Sequence, residues 1–98
     1  MNKIDFQLRR NLNVKIRGKR GKIELIIGGL IKKNDKPWGC YCSATGLIPK
    51  DTLIYGEDEI HALANCLIFC SETIKHFNDS EKKVWWVDFD DQGQIFQD

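Results

Sequence analysis

The sequence predicts an α+β domain, in which an antiparallel sheet of five to six strands packs in two layers against one long helix. Three observations predict it. Apolar residues alternate with a period of two over the first third of the chain. Turn residues then separate short β-rich runs as far as Gly56. Finally, one stretch from about Asp58 to Phe77 changes to a helical period. Ninety-eight residues suffice for one core and not for two. No repeat, low-complexity tract or Pro/Ser-rich linker divides them, so residues 1–98 read as a single domain.

The elements follow in order. Ile4, Phe6, Leu8, Leu12, Val14 and Ile16 alternate with mostly polar neighbours, which indicates a strand pair or one long strand broken near Asn11. Gly18-Lys19-Arg20-Gly21 reads as a compact turn before Ile23, Leu25 and Ile27, giving a β-hairpin with a basic tip. Residues 33–37 supply a second turn before a strand around Trp38–Gly46. Pro49-Lys50-Asp51 turns the chain again ahead of Leu53-Ile54-Tyr55. In the helix, Cys66, Phe77, Cys70, Leu63, Ile74, Leu67, Ile60 and Ala64 share one apolar arc, with Phe69 opposite its centre. Asp58 is the expected N-cap, Glu59 adds negative charge to the first turn, and Asn78-Asp79 ends the helix. Val84–Phe89 then reads as a strand with Trp85, Val87 and Phe89 buried, and Gln92-Gly93 turns into a short strand at Gln94-Ile95-Phe96.

Charge is distributed more informatively than its total of +1 suggests. Residues 1–36 carry eleven Lys/Arg against three Asp/Glu, a local +8, and residues 37–98 carry four against eleven, or −7. Such asymmetry points to charged partner surfaces. With 42% hydrophobic and 30% charged residues the chain has the composition of a folded domain and not of a disordered one. Its longest apolar run, Leu25–Ile31, falls far short of the roughly 20 residues of a membrane helix. The amino terminus lacks the apolar core and cleavage site of a signal peptide, so a cytoplasmic location is expected.

Four cysteines are then expected to be free thiols, Cys40 and Cys42 as C-x-C and Cys66 and Cys70 as C-x-x-x-C. A four-thiolate zinc site is conceivable, because positions four apart share a helix face. C-x-C on a strand nevertheless departs from the usual C-x₂₋₄-C knuckle. The expectation is small buried hydrophobes, with no metal and no cofactor.

Gly56-Glu57-Asp58-Glu59-Ile60-His61-Ala62-Leu63 resembles a G-x-D-x-x-Q-A-L signature of small bacterial proteins of uncharacterised function. Trp38-Gly39-Cys40-Tyr41-Cys42 and Gly46-Leu47 stand where those proteins carry W-x-C and G-L elements, and the likeness spans roughly residues 23–87. The signature is helix-start grammar, with Gly56 permitting a tight turn and Asp58 capping. His61 stands where the pattern has a Gln able to reach back as a capping box. Some chains of this look are immunity proteins encoded beside bacterial toxins, and no catalytic activity comes with the resemblance. What it implies is a partner protein, a cognate toxin that could be a nuclease, and no small-molecule substrate.

Catalysis has little to build on. His61 and His76 lie about 22 Å apart along one helix at 1.5 Å per residue and point away from the helical cysteines. No phosphate loop, dinucleotide fingerprint or zincin motif is present. Two binding surfaces are candidates. In Val84-Trp85-Trp86-Val87-Asp88-Phe89-Asp90-Asp91 the alternation leaves Trp86, Asp88 and Asp90 on one face. Together with Asp91 they form an aromatic anchor with charge selection, suited to the basic cleft of a nuclease toxin. The alternative is a nucleic-acid-binding or regulatory protein using Arg17, Lys19, Arg20 and Lys22 on the hairpin, although that stretch has no interleaved aromatics.

Overall fold

A computed structural model describes residues 2–79, 81–87 and 91–95. Its elements are β1 (Asn2–Ile4), β2 (Leu8–Ile16), β3 (Lys19–Lys32), β4 (Trp38–Ala44), β5 (Ile48–Gly56), α1 (Glu59–Phe77) and β6 (Lys82–Trp85). The fold is the expected one. A curled antiparallel sheet runs in the order β5-β4-β3-β2-β6, with β1 pairing the far end of β3, and α1 packs on one face. No helix among the described residues is long and apolar enough to cross a membrane.

The first hairpin turns on Arg17 and Gly18 alone, between the paired residues Ile16 and Lys19. Both central residues have positive φ (49° and 83°), the backbone of a type I′ turn, which matches the twist of the flanking strands. The turn thus lies earlier than the sequence suggests, and Lys19, Arg20 and Lys22 are strand residues. The expected break near Asn11 is absent, since Asn11 pairs with Glu24 in mid-strand. The interruption instead falls at residues 5–7. There Gly28-Gly29 insert an extra residue into β3 between its Ile27↔Cys42 and Leu30↔Cys40 pairings with β4. Gly29 sits at φ 101°, and a Cβ there would come within 3.1 Å of the Ile4 carbonyl oxygen. Pro49-Lys50-Asp51 likewise forms a bulge inside β5 and not a turn between strands. Asp51 adopts φ 64°, and Thr52 Oγ1 donates to the Pro49 carbonyl at 2.7 Å.

The helix begins as the sequence predicts. Asp58 accepts from His61 N–H at 2.7 Å, and His61 Nδ1 in turn accepts from Glu57 N–H at 2.9 Å. The imidazole therefore does the reach-back of the absent Gln, shifted by one residue to the amide before the cap. At the other end Asn78 is a two-way tie, as its Nδ2 donates to the Ile74 carbonyl and its Oδ1 accepts from Val84 N–H. Asp79 Oδ1 accepts from both Glu81 and Lys82 N–H, closing the connection to β6.

Between the layers lie Leu12, Val14, Leu25, Ile27, Ile48, Ile74 and Val84 together with a set of small residues: Cys40, Cys42, Ala44, Ala62, Cys66 and Cys70. Several sequence expectations about burial change here. Ile60 is 79% exposed, because the buried helix face is centred on Ala62, Cys66, Cys70, Ser71 and Ile74. Phe69 is not on a free surface and packs against the core. The strand expected over Val84–Phe89 is instead β6, Lys82–Trp85, and the alternation fails already within it. Val84 and Trp85 are both buried and Val87 is 77% exposed, while Phe89 lies outside the described residues. Gln92 and Gly93 turn with positive φ as expected, but Gln94 and Ile95 are not in a strand, and Phe96 lies outside the described residues.

Gly56 fixes how closely the layers approach, because a Cβ there would stand 2.3 Å from Ala62 N and 2.5 Å from His61 C. Those are backbone atoms of the first helical turn and cannot step aside. Gly56→Ala is therefore expected to destabilise the fold by roughly 3 kcal/mol or more, measurable by urea unfolding. The amides of Glu81 and then Lys82, with the Lys82 ammonium 3.6 Å away, hold the Asp79 carboxyl below its ordinary value. Its contribution to stability is present above the unfolded-state pKa of about 3.9 and is lost as pH falls through the lower folded value. Asp79→Ala should thus unfold at a lower temperature than wild type at pH 7, and the gap should narrow as the pH falls below the ordinary aspartate value of about 3.9 in a thermal-melt series.

Candidate functional site

Trp86 follows the last residue of the short edge strand β6, and its backbone is held at both ends. Its N–H donates to Asp91 Oδ1 at 2.8 Å, and its carbonyl accepts from Asn13 Nδ2 of β2 at 3.1 Å. Its ring is held as well. The Arg10 guanidinium carbon sits 3.7 Å from the ring centroid, a cation–π stack, while Arg10 NH1 donates to the Gln94 carbonyl at 3.2 Å. Arg10 comes from the helix-facing side of β2 and is half-buried, so the guanidinium is confined between strand, ring and terminal turn. Trp86 remains 38% exposed and stands beside Val87. On the other side of Arg10 a shallow apolar groove runs between Leu8, Leu25, Ile27, Leu67 and Ile95.

The predicted acidic residues are distributed between two situations. Asp91 is half-buried and turns inward, its carboxylate accepting from the N–H groups of Trp86, Val87 and Gly93, each at 2.8 Å. It shapes the loop that presents Trp86, a role the alternation pattern does not reveal. The sequence clue is the Asp-Gln-Gly spacing, which suits a carboxylate bonding a backbone N–H two residues on. Asp88 and Asp90 lie outside the described residues.

The basic hairpin is partly spent on the same edge. Arg17 Nε lies 3.4 Å from Glu81 Oε2, and Arg17 N–H donates to the Glu81 carbonyl at 2.8 Å. The Arg20 guanidinium lies 5.8 Å from the Trp85 ring centroid. Lys19 and Lys22 are exposed and meet no carboxylate among the described residues. Where β6 pairs β2, Lys83 stands opposite Lys15 and Lys82 opposite Ile16, so this edge stays largely basic, with Glu81 and Asp79 the acidic residues beside it. The exposed Arg17–Glu81 pair itself adds about 1 kcal/mol at most.

The histidines and cysteines are kept apart. His61 is exposed, its Nδ1 taking the Glu57 N–H and its Nε2 lying 3.2 Å from Asn65 Nδ2. His76 is exposed and stands 3.7 Å from Glu72. All four cysteines, by contrast, have 2% or less of their surface accessible. The sequence treats them as separate small hydrophobes, but the fold gathers all four. Cys40 and Cys42 project from β4 toward α1, and Cys66 and Cys70 project from the buried face of α1. The Sγ atoms of Cys42, Cys66 and Cys70 lie within 4.8 Å of one another. Cys66 is in hydrogen-bond contact with each of the other three thiols. The neighbouring Cys40, Cys42 and Cys70 thiols, together with burial, push the Cys66 thiol up, while hydrogen bonding with Cys66 and Cys70 pulls the Cys42 thiol down. The Tyr41 carbonyl stands 3.9 Å from Cys40 Sγ and 4.0 Å from Cys66 Sγ.

If Arg10 and Trp86 interact directly, removing them must be non-additive. A double-mutant cycle on Arg10→Ala and Trp86→Ala, followed by urea unfolding, should return a coupling energy of about 0.5–1 kcal/mol, as for a partly exposed stack. Comparison with family models, curated proteins and solved structures gives no match for the chain.

Proposed function

We propose that this chain is a non-enzymatic, cytoplasmic immunity protein that binds a cognate toxin through the surface centred on Trp86 and Val87. The observation that supports this most is the preparation of Trp86. An aromatic more than one-third exposed is clamped by Asp91, Asn13 and Arg10 before any partner arrives. A rigid aromatic beside an exposed aliphatic is what an interface hot spot requires, because little side-chain freedom is left to lose on binding. Asp88 and Asp90 follow in sequence, next to this anchor, and supply negative charge. A basic nuclease cleft would be drawn to it and then covered, so that nucleic acid is excluded by competition. The apolar groove on the far side of Arg10 extends the contact area.

The nucleic-acid alternative keeps Lys19 and Lys22, whereas Arg17 and Arg20 are directed toward β6. Salt separates the two readings. Phosphate binding by the hairpin would weaken steeply and linearly in log[salt], and an absence of RNA or DNA binding at low salt eliminates it.

The direct test is co-purification with the product of the neighbouring gene, followed by titration. Trp86→Ala, measured under conditions where the variant is fully folded, is expected to raise the Kd by about 30-fold, the effect of a hot-spot residue worth about 2 kcal/mol. A Trp86→Ala, Val87→Asp double variant that binds that product as wild type does overturns the surface assignment.

A further inference from the structure

The four cysteines of this chain, two from a strand and two from a helix, are all buried between the layers, and the sulfurs of three of them, Cys42, Cys66 and Cys70, lie within 4.8 Å of one another. We infer that Cys42, Cys66 and Cys70, with Cys40 as the fourth donor, form a site for a soft divalent cation of the Zn²⁺ type that joins β4 to α1. Three features support it. First, the donors are chemically uniform and are the softest ligands a protein offers, which selects thiophilic ions over Mg²⁺ or Ca²⁺. Second, the spacing fits. A zinc–sulfur bond of about 2.3 Å in a tetrahedron sets sulfur–sulfur distances of about 3.8 Å, and three sulfurs already stand within 4.8 Å of one another. Third, Cys40 and Cys66 reach the same Tyr41 carbonyl, 3.9 and 4.0 Å from their sulfurs, which places the fourth thiol beside the cluster.

The departure from the C-x₂₋₄-C knuckle has a structural reason. A knuckle brings two sulfurs together by bending the chain. Here the pleat of β4 does so for positions 40 and 42, and the helical repeat does so for positions 66 and 70. Cys42, Cys66 and Cys70 form the close group, while Cys40 stands beside Cys66 at the same Tyr41 carbonyl. Binding exchanges thiol protons for the metal: each S–H that becomes a thiolate releases one proton to solvent, and no electrons move. Because the cluster is buried, the ion enters during folding and then acts as a staple across the two layers of a small domain.

The test uses the full chain, unfolded and reduced, then refolded without oxygen in the presence of Co²⁺ or Zn²⁺ and passed over a chelating resin. The expected result is close to one ion retained per chain. With Co²⁺ it includes the intense thiolate charge-transfer and visible bands of tetrahedral sulfur coordination, and with Zn²⁺ a higher melting temperature than the metal-free chain. Cys42→Ala or Cys66→Ala loses the ion, and Cys40→Ala holds it less firmly against the resin. A natively folded wild-type chain that retains no ion, shows four reactive thiols after denaturation and melts at the same temperature with and without Zn²⁺ overturns the site. So does a mass deficit revealing a disulfide among these cysteines in protein purified without added oxidant. Metal retention and thiol state are both measured on the wild type, so a variant that fails to fold leaves the site open to refutation.

Discussion

The close approach of α1 to β4 and β5 is the constraint on which the rest of the structure depends. It is set where the backbone of Gly56 meets the first helical turn, with no room for even a methyl group. The contact face then has to be made of small side chains over the first half of the helix, and it is: Ala62, Cys66 and Cys70 above, Cys40, Cys42 and Ala44 below. Larger aliphatics fill the remainder, where Ile74 meets Leu12 and Val84 near the other end of α1. The layer thus packs tightly at one end through small atoms and at the other through branched side chains. The same closeness gathers the four thiols, since bulkier neighbours would hold strand and helix too far apart for their sulfurs to meet.

A second dependency runs through the connection from α1 to β6. Asn78 bonds both the last helical turn and Val84, and Asp79 closes the link, so the end of the helix determines where β6 adds to the sheet. β6 in turn lays Lys82 and Lys83 beside Lys15 of the basic hairpin, where Glu81 and Asp79 pair with Arg17 and Lys82. The other distinctive feature of this edge is a particular aromatic, Trp86, fixed by a cation on one ring face and by two polar side chains at its backbone.

Much of the fold was legible. The period of two, the change to a helical period at Asp58, the capping role of Asp58 and the turn at Gln92-Gly93 are local signals, and each reappears at its residue. The misplaced features are those that depend on a neighbour. The break in the amino-terminal strand lies at residues 5–7 because the bulge at Gly28-Gly29 on the partner strand lies there. Pro49–Asp51 has the chemistry of a turn, but β4 continues past it, so the chain bulges and stays paired. Ile60 fits the apolar arc but lies in the first turn, at the edge of the layer.

The candidate surface divides in the same way. The sequence by itself determined that there would be one long helix on an antiparallel sheet, that a Trp would sit among carboxylates near the carboxy terminus, and that two cysteine pairs would each present one face, because periodicity and capping are properties of adjacent residues. Only the tertiary structure decided that Val87 points to solvent, that Asp91 turns inward to hold the backbone, that Arg10 covers one ring face of Trp86, and that Cys42 of the strand meets both helical cysteines. Those outcomes depend on which strand lies beside which and on where the covering layer ends, and no periodicity within a single segment encodes either.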